Sequence, residues 1–390
     1  MKKITTRCDI FCNVIDNYGD IGVCWRLARQ LANEHGIAVR LWVDDLNSFA
    51  KLCPDADAAL EKQKCRGVEV CYWSKDFPEV QLADLVIEAF ACKLPQSYLE
   101  AMAAQRPQPI WINLEYLSAE DWVESHHKLP SPHPSLPLTR YFFFPGFTRQ
   151  TGGLLLERDL LARRDAFRND TAQQRAYWQS IGLDIPSAKT QKISLFGYEN
   201  AALPGLFDAW AASVQPILCL VPEGRILPQV GQYFGDTSPG VGKPYSRGNL
   251  QVRVLPFVEQ ERYDELLWAC DVNFVRGEDS FVRAQWAGKP FIWQIYPQHD
   301  AVHLKKLEAF LMLYGEKLGQ SANEAMHGMW KAWSMENGAG QWWPAFIAAR
   351  GELERHAQLW AQQLSENNLA LNILDFSREI GRMRALKIEG

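Results

Sequence analysis

Short apolar runs rich in β-branched and aromatic residues alternate with segments whose apolar positions recur every three to four residues. That alternation sets the expected elements. Residues 9–15 read as a strand, 16–22 as a polar loop and 23–35 as a helix. Val23, Leu27 and Leu31 share one helical face, and Gly36 suits the left-handed position that closes it. Further strands are expected at 38–43, 68–73, 85–89, 110–114 and 141–144, with a helical stretch over 95–105. Residues 129–137, rich in Pro and Ser, read as a surface loop, and the charged stretch 157–179 as a helix leading out of this half. The rhythm then restarts with strand 192–196, helix 203–213, strands 217–221 and 250–255, and helix 259–269. The Gly-rich 231–248 reads as a long loop, and everything beyond 298 as helical.

The stretch 272–298 organises the second half. Val272-Asn273-Phe274-Val275 is a strand, and Arg276-Gly277-Glu278-Asp279-Ser280 is a polar loop in which Ser280 suits a helix N-cap. Gly288 suits the left-handed position after that helix, and Pro290 forbids continuing it into the next strand. Such a unit belongs in a parallel sheet. The expected fold class is therefore α/β, with two Rossmann-like doubly wound domains facing a cleft and a helical C-terminal region. The first domain is expected over 1–182 and the second over 183–365, with helix 366–390 packing back on the first. Ligands of open α/β sheets sit outside the carboxyl ends of strands, which is where loop 276–280 lies.

Within that loop, the helix start and Arg276 attract a phosphate that Glu278 and Asp279 repel. A nucleotide sugar reconciles the conflict. Its diphosphate would take Ser280, local N–H groups and Arg276, while the carboxylates face sugar hydroxyls or a cationic acceptor. The competing reading has Glu278 and Asp279 merely decorating the first helical turn, where acids favour the dipole.

Composition narrows the class. With 47% hydrophobic and 22% charged residues in 390, the chain is of globular type. A net charge of -5 gives no global attraction to nucleic acid, and no apolar run approaches a membrane span, so neither partner is expected. The amino terminus has no signal-peptide core, which makes cytoplasmic the expected location. Nine Cys, odd in number and without a C-x-x-C, read as free thiols. The 15 Trp imply aromatic packing above all.

The second informative loop is 16–22. A dinucleotide-binding reading fails here because only Gly19 and Gly22 occur, whereas Asp16, Asn17 and Asp20 occupy the turn where a pyrophosphate would dock. Asp44 stands about where a ribose-binding acid would lie, but cannot rescue the pattern. Two readings stay open for Asp16 and Asp20: capping of the turn, or carboxylates aimed at a reacting centre.

The run Asp16-Asn17-Tyr18-Gly19-Asp20-Ile21-Gly22-Val23-Cys24-Trp25-Arg26-Leu27-Ala28-Arg29-Gln30-Leu31 resembles the EarP family of bacterial arginine rhamnosyltransferases that modify elongation factor P. So do Phe143-Phe144-Pro145-Gly146-Phe147, Pro256-Phe257-Val258-Glu259-Gln260 and Arg276-Gly277-Glu278-Asp279-Ser280 with Arg283-Ala284-Gln285. The resemblance spans nearly the whole chain. It implies a GT-B type glycosyltransferase, dTDP-β-L-rhamnose as donor, inversion at the anomeric carbon, no metal or other cofactor, and the N-terminal domain of elongation factor P with its acceptor arginine as partner. It also implies Asp16, Asp20 and Glu278 as the catalytic carboxylates, with Asn17 and Gly19 beside them among the substrate-binding residues.

The chemistry agrees with that reading. A guanidinium is protonated and its lone pairs are delocalised, so carboxylates must hold it and accept a proton as the bond forms. Asp20 is the expected base, with Asp16 and Glu278 orienting acceptor or sugar. Arg276, Ser280 and the helix start would neutralise the departing diphosphate. Phe257 is expected to stack on thymine or to lie in the core. Gln260 is a candidate for a base edge or ribose, and Tyr198 and Tyr296 either touch ribose or phosphate or are structural. The acids of the first domain, Asp16, Asp20, Asp44 and Asp45, would attract a basic acceptor tip or simply be solvated. His126, His127 and His133 lack metal-ligand spacing and read as part of a solvated loop. Three other activities remain to be separated by experiment: a sugar-nucleotide epimerase or small-acceptor transferase, a non-catalytic protein that binds a translation factor, and a nicotinamide enzyme.

Overall fold

Parallel strands joined by helices fill both halves of the computed structural model, which describes residues 6–14, 18–296 and 302–389, with side chains to residue 384. In chain order the first half holds β1 (Arg7–Cys12), α1 (Gly19–His35), β2 (Ala38–Val43), α2 (Leu46–Leu52), β3 (Lys62–Cys65), β4 (Val68–Tyr72), β5 (Leu85–Ala89), α3 (Gln96–Ala104), β6 (Ile110–Leu114), α4 (Trp122–His126), β7 (Pro130–Pro132) and β8 (Thr139–Phe143). Next come α5 (Leu160–Asn169), α6 (Thr171–Ser180), β9 (Gln191–Leu195), α7 (Leu203–Ala211), β10 (Ile217–Pro222), α8 (Leu227–Phe234), β11 (Pro244–Arg247), β12 (Leu250–Leu255), α9 (Gln260–Ala269), β13 (Val272–Arg276), α10 (Asp279–Ala287) and β14 (Phe291–Gln294). The chain ends in α11 (Val302–Gly315), α12 (Gln320–Ser334), α13 (Ala339–Ala348), α14 (Arg350–Leu364) and α15 (Leu369–Glu389).

Two units result, Met1–Arg158 with Leu364–Gly390, and Asp159–Gln363. In the first, the sheet order is β3-β4-β2-β1-β5-β6-β8-β7, parallel except for the antiparallel edges β3 and β7. The second sheet runs β11-β12-β10-β9-β13-β14, antiparallel only at β11. Each is doubly wound: β1 and β9 lie inside their sheets, with successive strands added first on one side and then on the other. The central strands β1, β5, β10 and β13 are buried along almost their whole length, as strands covered on both faces must be.

Several expectations from the sequence are corrected. The loop expected over 129–137 contains β7, whose prolines are tolerated because it is an edge strand with one partner. The helix expected over 157–179 is split at Asp170, whose carboxylate accepts from Ala172 N and Gln173 N at 2.8 and 3.2 Å and so starts α6. The Gly-rich 231–248 is not one long loop. Gly231 lies inside α8, where only glycine fits because a Cβ would meet Asp236 O at 2.6 Å, and Gly235, at φ +74°, caps that helix. The second unit begins at Asp159 rather than near Gly182, because α5 packs on α9 and α10.

α15 packs on α1 and β6 of the first unit. Its approach is fixed by asparagines: Asn367 Nδ2 donates to Thr148 O (2.7 Å), Asn368 Nδ2 to Leu156 O (2.6 Å) and Asn372 Nδ2 to Gly152 O (3.0 Å). The nine cysteines are free and buried. Among the described residues, no helix is long and apolar enough to cross a membrane.

Candidate active site

In the second sheet the topological switch falls between β9 and β13, and the residues just past these strands meet there. Arg276 ends β13 and is buried. Its guanidinium carbon lies 4.6 Å from the ring centres of both Phe196 and Tyr198, which follow β9. Planar guanidinium on aromatic faces is a favourable, orienting contact, and it holds the cation at the sheet's carboxyl edge. Tyr198 meets Tyr296 edge to face at 5.5 Å and has Arg225, from the loop after β10, 5.8 Å from its ring centre. Gln294 fixes this loop by accepting from Tyr198 N (2.9 Å) and donating to Glu199 O (3.2 Å). Phe196 and Arg225 escaped the sequence reading. The only signal for them was position, each lying within a few residues of a buried strand end.

The start of α10 differs from expectation. Glu278, not Ser280, occupies the N-cap, and its side chain makes no capping hydrogen bond. Ser280 lies two residues further in, within the first turn, where its Oγ donates to Arg276 O and accepts from Arg276 N at 3.0 Å. The hydroxyl is thus committed to holding the strand end. Glu278 and Asp279 are both half-buried, and Gln260 Nε2 donates to Asp279 Oδ2 at 3.3 Å, tying the start of α9 to that of α10. Behind them Arg283 clasps Asp264 of α9 with two bonds of 2.8 and 2.7 Å, both side chains being almost wholly buried. Trp360 Nε1 donates to Gln285 Oε1 (2.7 Å). The later residues of this motif therefore fix α10, and its first residues are left at the sheet edge. Phe257, past the end of β12, is half-buried rather than enclosed, which disfavours its core reading.

In the first unit α1 begins at Gly19, so Asp20 sits in its first turn instead of in a loop, buried to 3% exposure. A helix start favours a carboxylate. Asp20 is close enough to the end of β1 that its charge, after the Cys24 hydrogen bond, burial and the Cys24 charge, helps push the Cys12 thiol upward. Asp16 and Asn17 lie outside the described residues. Asp44 is tied down by Asn13 Nδ2 and by Val14 N (2.8 Å), and Asp45 caps α2 through Asn47 N (3.0 Å) and Ser48 N (3.1 Å). Burial alone would raise the Asp45 carboxyl, but the Ser48 and Asn47 bonds outweigh it and hold it below its usual range. Both acids thus have local structural roles as well as their charge. At the switch between β1 and β5, Phe90 and Ala91 both adopt left-handed backbone (φ 56° and 54°), and Phe90 stacks on Tyr116 at 4.5 Å. Strain of this sort on non-glycine residues gathers where a site shapes the chain.

His126 is exposed, as expected of a solvated residue, whereas His127 and His133 take structural posts. His127 Nδ1 accepts from Phe144 N (3.1 Å), and His133 Nδ1 accepts from Leu136 N (3.1 Å).

Two doubly wound α/β units in one chain, one carrying a cationic, aromatic cluster at its switch point, define a glycosyltransferase of the GT-B type. The family model for elongation factor P rhamnosyltransferase EarP matches residues 8–378, and the chain belongs to that family. It is 53% identical over 372 residues to a protein-arginine rhamnosyltransferase of Pseudomonas putida, covering 95% of this chain and 98% of the relative. The protein-arginine rhamnosyltransferase of Pseudomonas aeruginosa is 48% identical over 369 residues, covering 94% and 98%. A solved chain described as the structural basis for EarP-mediated arginine glycosylation of translation elongation factor EF-P matches with TM-score 0.70 at 40% identity, covering 96% of this chain and 99% of that one.

Proposed function

We propose that this protein transfers rhamnose from dTDP-β-L-rhamnose to an arginine side chain of elongation factor P, inverting the anomeric carbon in one displacement. The observation that carries the reading is its 53% identity, over nearly the full length of both chains, to a protein-arginine rhamnosyltransferase. The site chemistry supports it. As the guanidinium nitrogen bonds to the anomeric carbon, the bond from that carbon to the diphosphate oxygen breaks, and one proton leaves the nitrogen. Asp20 takes the proton, while Asp16 and Glu278 hold acceptor and sugar. The departing diphosphate carries its charge toward Arg276, held on Phe196 and Tyr198, toward Arg225 and toward the N–H groups that open α10. No metal is needed for that neutralisation. Phe257 stacks on thymine, and Gln260, Tyr198 and Tyr296 line the nucleotide. The reaction takes place in the cytoplasm, on the N-terminal domain of the folded translation factor.

The test is the intact mass of elongation factor P after incubation with this protein and dTDP-β-L-rhamnose, in parallel with its isolated N-terminal domain and a short peptide around the arginine. Gain of a single rhamnosyl residue on the folded proteins, with little on the peptide, is expected. Absence of any mass gain overturns the reading.

A further inference from the structure

At the opposite end of the second sheet from Arg276 and Tyr198, a cavity of 490 Å³ opens beneath the amino ends of β9, β13 and β14. Its volume lies in the range of small-molecule pockets. Phe167, Trp178 and Trp268 contribute aromatic edges to its wall, and the charged lining consists of three cations, Arg168, Lys192 and Lys289, against one carboxylate, Asp271. Asp271 is already neutralised by Lys192, whose Nζ lies 3.1 Å away.

Arg168 is the informative member. One Nη donates to Ala287 O at the end of α10, but Nε is buried without a hydrogen-bond partner, and no carboxylate among the described residues reaches Arg168 at ion-pair distance. Its acidic neighbours are committed elsewhere, Asp165 to Arg164 at 2.8 Å and Glu354 to Lys289. Burial, with Arg164 adding to it, pushes the guanidinium down to about 10. A half-buried cation whose nearest acids are engaged by other cations has capacity left for a bound anion.

The geometry points to a second binding site here, for a small organic anion with a flat apolar body. Its carboxylate or phosphate would meet Arg168, and its ring would lie among Phe167, Trp178 and Trp268. The site is independent of the donor chemistry, because its residues come from the other end of the strands.

The test uses the full chain saturated with dTDP and titrated with 1-naphthoate by ligand-observed NMR, beside the neutral 1-naphthalenemethanol. Saturable binding of naphthoate is expected, about tenfold or more tighter than the alcohol, the equivalent of one charge-assisted contact. Arg168→Met should weaken it about tenfold with thermal unfolding still cooperative. If Arg168→Met does not fold, Lys192→Met carries the same expectation. No binding of naphthoate, equal binding of the two probes, undiminished binding in the folded variant, or binding only when dTDP is left out would each overturn the proposal.

Discussion

The guanidinium carbon of Arg276 lies 4.6 Å from the ring centre of Tyr198, joining the residue that ends β13 to the loop that follows β9. With Phe196 at the same distance, the buried cation lies over two aromatic rings, which limits its swing into solvent. Lysine keeps the charge but not the plane. Arg276→Lys should therefore weaken dTDP binding by roughly 1 to 2 kcal/mol, about tenfold, by calorimetry. Unchanged affinity in a folded variant would remove Arg276 from the donor site.

Phe257 tests the proposed base end of the donor site. Because it is half-buried past β12, a truncation there opens little core. Phe257→Ala should lose roughly 1 to 3 kcal/mol of dTDP affinity, the range for a base on an aromatic ring, while the thermal midpoint barely moves. A large fall in the midpoint with affinity intact would return the ring to a packing role.

In the proposed mechanism Asp20 acts only as the acceptor nitrogen attacks. Asp20→Asn should lower kcat by about 100-fold or more, with dTDP affinity near that of the parent. Glu278→Gln should also slow transfer, with thermal stability nearly unchanged, because the Glu278 side chain makes no capping bond to lose. A destabilised but fully active Glu278→Gln would favour the helix-turn reading instead.

What the sequence disclosed follows from where each signal originates. Strands 85–89, 110–114 and 250–255 match the observed β5, β6 and β12 residue for residue, because β5 and β6 are written as short apolar runs and β12 as an alternation of apolar and polar residues. The left-handed caps Gly36 (φ 67°) and Gly288 (φ 54°) are equally local. Gly231 misled because it serves a close approach to Asp236 rather than a turn, and Ser280 because its hydroxyl found the strand end a turn earlier than a cap requires. Phe196 and Arg225 carry no mark beyond their position near a strand end. They matter only because β9 and β10 are neighbours in the sheet, and that is settled by packing.

His127 gives a pH dependence whose sign can be stated. Burial, with help from Lys128, lowers the imidazole to about 4, and its neutral Nδ1 accepts from Phe144 N. The unfolded chain, with a histidine near its ordinary value, binds the proton first. Stability is thus complete above about 6.5 and falls as the pH drops toward 4, by at most about 3 kcal/mol. Urea titrations across that interval should show the loss, and His127→Gln should flatten it. An unaltered slope in the variant would assign the acid sensitivity to other groups.

Arg283 and Asp264 separate support from chemistry within one motif. Their two hydrogen bonds are sealed from solvent, so removing one partner strands the other charge in the interior. Arg283→Met should cost about 3 to 5 kcal/mol in urea unfolding, whereas pairing it with Asp264→Leu should recover much of that, since no buried charge then lacks its partner. dTDP affinity per folded molecule should stay within a few-fold of the parent in both variants, because Arg283 anchors α10 from behind. A folded, stable Arg283→Met that no longer binds dTDP would mean instead that this guanidinium reaches the nucleotide. The donor site would then extend along the helix beyond its first turn.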